Sequence, residues 1–334
     1  MTFEAPNSEE STERTGRKLI VVAGPTGAGK TMLGVELARR FNGEVINADS
    51  RYLYRGFNIG TAKPTKDEQQ GVPHHLIDIL DPVDDFSLAR YQEMANAAIE
   101  DVLQRGRLPL LVGGTPLYAN AVIEGWKIPR VAPQPEIRER LELEAGSDGV
   151  AMLSARLAEI DPVAAERSGV NLRRIIRALE IYEVTGERMS DLEGKGPRPF
   201  QTLELGLSLP RPLLHDRLDR RVDDQIRNGL VEEVAGLLEE GVPRDAPAMS
   251  SIGYRQLLPF LDGEQTLDGT IAQLKHDTHR YVRHQETWLR RNAHLQPIDV
   301  RQRDWIQRAI AQVAAFVNEE SPRRDSPPHE PRSR

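Results

Sequence analysis

Apolar and polar residues alternate in blocks along this chain. Lys18–Ala23 (KLIVVA) is a short apolar run rich in β-branched side chains, which predicts a buried strand. Residues 32–41 then repeat apolar positions at helical spacing, and 44–47 read as a second strand. A third strand is expected at 75–80, an amphipathic helix at 87–104, and a buried strand at 108–112 (LPLLV) running into Gly113-Gly114. From about 129 to 187 the pattern is helical, with no strand among it. Alternation resumes with a strand at 202–209, helices at 214–240 and 266–292, a short strand at 294–298 and a last helix to about 317.

Strands that alternate with helices predict an α/β fold, a parallel sheet covered on both faces. The helical stretch reads as an insertion. The expected division is a core of 18–128 and 200–318, an insertion domain of 129–199, and polar tails at 1–17 and 319–334 whose composition predicts disorder. A chain of 334 residues fits about two domains.

Composition narrows the function classes. No apolar run approaches the roughly 20 residues that span a bilayer, and residues 1–17 lack the apolar core of a secretory signal, so a cytoplasmic protein is expected. With no cysteine, thiolate metal sites and thiol nucleophiles are excluded. The formal net charge of −7 does not favour nucleic acid, so any RNA contact must rest on local basic faces.

Gly24, Pro25, Thr26, Gly27, Ala28, Gly29, Lys30 and Thr31 match G-x-x-x-x-G-K-[ST] between a predicted strand and a predicted helix. This is the phosphate loop of P-loop NTPase-like folds. Backbone N–H groups and the helix dipole cradle a polyphosphate there, with Lys30 on its terminal phosphate and the Thr31 hydroxyl on Mg²⁺. NTPases usually end a neighbouring strand in a magnesium-holding Asp. Here that strand ends in Gly113-Gly114-Thr115, and the nearest candidate carboxylate is Asp49, after the second strand. On spacing alone Asp49 is equally a turn or capping residue.

The segment Asp49-Ser50, Tyr54, Gly56 and Ile59-Gly60-Thr61-Ala62-Lys63-Pro64 resembles the signature of the tRNA dimethylallyltransferase (IPP transferase) family. Further blocks are similar in the same order: Pro73-His74-His75, Val112 to Tyr118, Asp161-Pro162 with Asn171, Arg174 and Arg177 to Glu180, Gly253 to Gln256, and Gln285 to Arg290. The resemblance covers about residues 18–317. It implies transfer of a dimethylallyl group from dimethylallyl diphosphate to N6 of the tRNA adenosine 3′-adjacent to the anticodon, with Mg²⁺. Catalytic roles carry over to Asp49, which would take the amine proton, to Thr115 on the acceptor side, and to Arg221 on the diphosphate.

The resemblance also implies that Asp49, Ser50, Arg51 and Tyr52 meet the anticodon stem-loop, as do Ser250, Ser251, Ile252, Gly253, Tyr254 and Arg255. The arginines that would follow phosphates are Arg138, Arg173, Arg174 and Arg177, and then Arg280, Arg283, Arg290 and Arg291, beside His284, Gln285 and Trp288. Two positions depart from the family pattern: Arg51-Tyr52-Leu53 follows Asp-Ser, and His284 stands in a usual basic pair. No zinc module follows the core, which implies a bacterial-type enzyme, expected as a monomer. The competing readings are adenylate isopentenyltransferase, a small-molecule kinase using ATP on the same loop, and an RNA-binding protein without catalysis. His74 and His75 are expected to serve strand packing.

Overall fold

The computed structural model describes residues 17–146 and 149–319. Of the tails expected to be disordered, 1–16 and 320–334 lie outside the described residues. The chain forms two compact units. Among the described residues, the first comprises those up to Asp85, Met94–Ala119 and those from Pro199 onward, and the second Phe86–Glu93 and those between Asn120 and Arg198.

The first unit is built on a six-stranded sheet. Its strands are β1 (Lys18–Ala23), β2 (Gly43–Asn47), β3 (His74–His75), β4 (Leu108–Gly113), β5 (Gln201–Ser208) and β6 (Gln296–Asp299), in the order β3-β2-β4-β1-β5-β6. Every pairing is parallel. Strands buried on both faces read as near-continuous apolar runs; accordingly Leu19, Ile20, Val21, Val22, Leu110 and Leu111 are almost fully buried. The chain leaves β1 towards β4 and β2 on one side and β5 on the other. Ligands of open α/β sheets collect at the carboxyl ends of the strands flanking such a switch point, and the phosphate loop starts there.

Helices α1 (Lys30–Arg40), α4 (Arg211–Arg227), α5 (Leu230–Glu239), α6 (Leu267–Arg291) and α7 (Trp305–Asn318) belong to this unit, as do parts of α2 (Leu88–Gln104) and α3 (Pro116–Ile123). The expected helix at 214–240 is two helices. It breaks at Gly229, whose φ of 94° leaves the helical region. The expected strand at 75–80 shrinks to His74–His75, because Leu76 and Asp78 adopt positive φ; Leu80 keeps one bridge to Tyr54. His75 supports the sheet, its Nε2 lying 2.6 Å from the buried Glu44 carboxylate.

In the second unit, helices Pro135–Ala145, Val150–Ile160, Pro162–Ser168 and Leu172–Thr185 pack around Leu141, Leu153, Leu157, Ile175 and Leu179. Asp161 joins two of its segments, accepting from the Ala164 N–H that begins one helix and from the Ser190 N–H, each at 2.9 Å. The two-residue strands Trp126–Lys127 and Gly194–Lys195 pair antiparallel at its ends. Among the described residues, no helix is long and apolar enough to cross a membrane.

Candidate active site

The loop after β1 has the geometry its sequence requires. Gly27 and Gly29 hold φ of 79° and 99°, and Gly29 caps the N-terminus of α1. Lys30 turns back over the loop, donating to the Pro25 carbonyl at 3.0 Å. Burial pushes its ammonium down from 10.5 to about 8; the Asp49 carboxylate opposes that shift and the Arg221 guanidinium adds to it. Lys30, Asp49 and Arg221, far apart in sequence, thus share one electrostatic neighbourhood.

Asp49 is placed by backbone contacts. Its N–H donates to Asn47 Oδ1 at 2.8 Å, and its own Oδ1 accepts the Arg51 N–H at 3.0 Å. The turn-residue reading is therefore satisfied through one carboxylate oxygen, which leaves the other for chemistry. The ends of β2 and β4 are stitched together above the sheet: the Ala48 N–H donates to the Val112 carbonyl at 2.8 Å, and the Thr115 N–H to the Ala48 carbonyl at 3.1 Å. The Thr115 hydroxyl accepts the Ser50 N–H at 3.0 Å, which fixes it beside Asp49. Gly113 permits this close approach, since a Cβ there would lie 2.1 Å from the Ala48 carbonyl carbon.

A cavity of about 230 Å³ opens beside these groups, lined among others by Thr26, Asp49, Arg51, Thr61, Arg221, Ser250 and Tyr281. Arg51 spans its rim to Ser250 Oγ at 3.1 Å. Tyr52 faces Arg221, and its phenol is pushed up by burial and by the Asp49 charge. A phosphate-loop threonine, a carboxylate, several hydroxyls and two arginines thus surround a space fit for a small planar group.

Three residues that shape this cavity carry no motif signal. The Glu233 carboxylate accepts the N–H groups of Asn58, Ile59 and Gly60 at 3.2, 3.0 and 3.4 Å, and the Tyr254 hydroxyl at 2.6 Å. Gln225 Nε2 donates to the Ile59 and Gly60 carbonyls at 2.6 and 2.9 Å. Together they clamp the cavity wall formed by Gly60 and Thr61. Tyr281 is 37% exposed although it sits on α6 beside buried Val282. Glu233 and Gln225 find partners more than 160 residues away, so no local pattern marks them.

The expected RNA-facing residues divide. Arg173, Arg174, Arg255, Arg280, Arg283, His284, Arg290, Arg291 and Ser250 are exposed. Several others are not surface groups. Tyr254 is fully buried beneath the Gly60–Thr61 backbone and donates to Glu233, and Ser251 is buried with its hydroxyl on the Ala248 carbonyl. Gly253 is buried as well, whereas Ile252 reaches the cavity. Gln285 is 3% exposed and bonds within the core. Trp288 is partly covered among Gly24, Gly113 and Leu289. In the second unit, Arg138 and Arg177 grip the buried Glu180 carboxylate at 2.7 and 2.6 Å, and Arg177 also donates to the Val131 carbonyl. Burying Glu180 requires such partners, so these two arginines hold the fold, and Arg173 and Arg174 are the exposed ones.

Thr31 lines a small recess with Asn47 and Tyr52. The described residues contain no cluster of three or more His, Cys, Asp or Glu able to hold a metal. A single hydroxyl at a phosphate loop fits a magnesium ion that takes its remaining ligands from diphosphate oxygens and water.

The chain is similar throughout to proteins of one kind. Proteins called tRNA dimethylallyltransferase from Thermomicrobium roseum and Roseiflexus sp. are 52% identical over 315 residues (94% of this chain, 96% of theirs) and 50% identical over 301 residues (90% and 99%). The crystal structure of full-length tRNA isopentenylpyrophosphate transferase from Bacillus halodurans is 41% identical, covers 90% of this chain and 97% of its own, and superposes with a TM-score of 0.68. A eukaryotic dimethylallyltransferase captured acting on tRNA is 29% identical, covers 92% of this chain and 82% of its own, and reaches 0.77. The model of the IPP transferase family matches residues 52–292. With the phosphate loop, Asp49 and Arg221 around one cavity, and that match over most of its length, the chain belongs to the IPP transferase family.

Proposed function

We propose that this chain transfers the dimethylallyl group of dimethylallyl diphosphate to N6 of the adenosine 3′-adjacent to the anticodon of tRNA. The observation that carries the reading is the convergence of Lys30, Asp49 and Arg221 on one site. The bond between the allylic C1 and the diphosphate oxygen breaks, and the electron pair leaves with diphosphate. The N6–C1 bond forms, and the N6 proton passes to Asp49.

The loop N–H groups, Lys30 and Arg221 hold the diphosphate and take up the charge that develops as it leaves. Magnesium held by Thr31 and the diphosphate oxygens would supply further neutralisation of that charge when bound. Thr115, fixed beside Ser50, orients the adenine edge so that its amine faces Asp49. The acceptor base must leave the anticodon-loop stack to enter the cavity, and loop bases unstack at low cost. The exposed arginines of α6, together with Arg173 and Arg174, supply contacts that follow the RNA backbone. In this role the protein would act as a monomer on tRNA in the cytoplasm.

The test is transfer from labelled dimethylallyl diphosphate, with Mg²⁺, to an unmodified tRNA carrying adenosine at that position. Label should appear on that adenosine alone. Label on free AMP would instead assign an adenylate prenyltransferase, and phosphoryl transfer from ATP a kinase.

A further inference from the structure

Gln285 belongs to neither the phosphate loop nor the acceptor cavity, yet its buried side chain bonds to both surroundings. Its Oε1 accepts the Thr26 N–H of the phosphate loop at 3.0 Å. Its Nε2 donates to the Gly114 carbonyl, at the turn after β4, at 2.8 Å. The same amide reaches the hydroxyl of Tyr281, one helical turn earlier on α6, where the tyrosine enters the cavity beside Asp49 and Arg51. A Cβ on Gly114 would lie 2.7 Å from Gln285 Nε2, so the turn is shaped to admit this side chain.

These bonds use complementary ends of one planar amide. Only a group with an acceptor and a donor a fixed distance apart can take the Thr26 N–H and the Gly114 carbonyl together. We infer that Gln285 is a positioning residue that locks the phosphate loop in register with the Thr115 turn and the Tyr281 wall, so that donor and acceptor sites sense one another. The inference rests on the donor and acceptor assignments proposed above. If the loop carries diphosphate and the cavity carries the base, an error of a fraction of an ångström across Gln285 misaligns C1 and N6 without removing either binding site.

Two substitutions separate the halves of the amide. Gln285→Glu keeps an acceptor for Thr26 but sets a carboxylate oxygen against the Gly114 carbonyl. Gln285→Met keeps the volume and loses both bonds. With the full chain and Mg²⁺, the affinity for inorganic pyrophosphate is measured by titration calorimetry with and without a saturating unmodified anticodon stem-loop RNA. The ratio of the two affinities is the coupling between the sites, and linked sites typically show about 5- to 150-fold. The wild-type ratio should lie in that range and fall to within about twofold of unity in both variants. Turnover should fall about 10- to 100-fold, with pyrophosphate affinity in the absence of RNA changed less than about threefold.

A wild-type ratio near unity overturns the inference, as does a ratio unchanged in the variants while both affinities fall together. Variants that fail to fold assign Gln285 to the core alone and also overturn it. Wild-type protein that transfers no label to RNA refutes the underlying reading, a result independent of the coupling measurement.

Discussion

Lys30 makes the sharpest prediction. Burial lowers its ammonium from 10.5 to about 8, which places about 3 kcal/mol against the charged form, at about 1.4 kcal/mol per unit. A bound diphosphate restores the charge, because a polyanionic neighbour favours the protonated amine. Below pH 8 the free protein already carries the proton and affinity for diphosphate is constant. Above pH 8 the proton must be taken up on binding, so affinity falls about tenfold per pH unit until the raised value of the complex is passed. Pyrophosphate should therefore bind about tenfold more weakly at pH 9 than at pH 7. Titration calorimetry in buffers of different ionisation enthalpy measures both the affinity and the proton taken up. Lys30→Arg isolates the effect, since a guanidinium does not titrate in this range. A wild-type affinity flat from pH 7 to 9.5, or the same break in Lys30→Arg, refutes the assignment of Lys30 as the titrating diphosphate ligand.

Asp49→Asn retains an oxygen for the Arg51 N–H while losing the base, so turnover should drop about 10²- to 10⁴-fold with pyrophosphate affinity unchanged; a variant near wild-type turnover removes Asp49 from the proton transfer. Glu44 is buried and held to about 2, foremost by Arg105 and then by His75 and Arg107. A carboxylate so depressed contributes stability above its ordinary 4.5 that is lost as pH falls towards 2. Glu44→Gln should thus cost up to about 3 kcal/mol at pH 7 and much less at pH 3, read by urea unfolding at both. Gly113→Ala should destabilise by about 1–3 kcal/mol, because the clashing Ala48 backbone is tied to Val112 and Thr115; an unchanged melting temperature would contradict the close approach.

What the sequence revealed was local. The phosphate loop announces itself because eight adjacent residues carry the whole device, and β1 and β4 are legible because strands buried on both faces read as near-continuous apolar runs, whereas β2 shows only through Val45-Ile46 between the buried polar Glu44 and Asn47. Segment 75–80 misleads because its apolar residues suggest a strand while Leu76 and Asp78 take positive φ, which nothing in the alternation signals. The site was half visible. Asp49 and Thr115 lie in quotable blocks, but Glu233 and Gln225 act on backbone groups far away in the chain. Family blocks also mix two kinds of residue. Tyr254, Gln285 and Arg177 sit in family blocks and Arg138 is among the arginines expected to follow phosphates, yet each is spent on internal bonds. Only burial separates a residue that touches a ligand from one that holds such a residue in place.

The absent strand-end carboxylate follows from this packing. In NTPases an Asp at the end of a strand beside the phosphate loop holds magnesium. Here that strand ends in Gly113-Gly114. A Cβ at Gly113 would strike the Ala48 backbone at 2.1 Å, and one at Gly114 would lie 2.7 Å from Gln285 Nε2 and 3.2 Å from Lys30 Nζ. The volume that an acidic side chain would need is already filled by the β2 turn, by Gln285 and by the lysine. The carboxylate instead comes from the end of β2, where Asp49 stands. Moving the acid one strand over takes it away from the place where it would hold a metal on a nucleotide's phosphates and sets it in the cavity wall with Thr61, Arg221 and Tyr281. An acid in that wall suits a reaction that must take a proton from an acceptor while the loop holds a departing diphosphate.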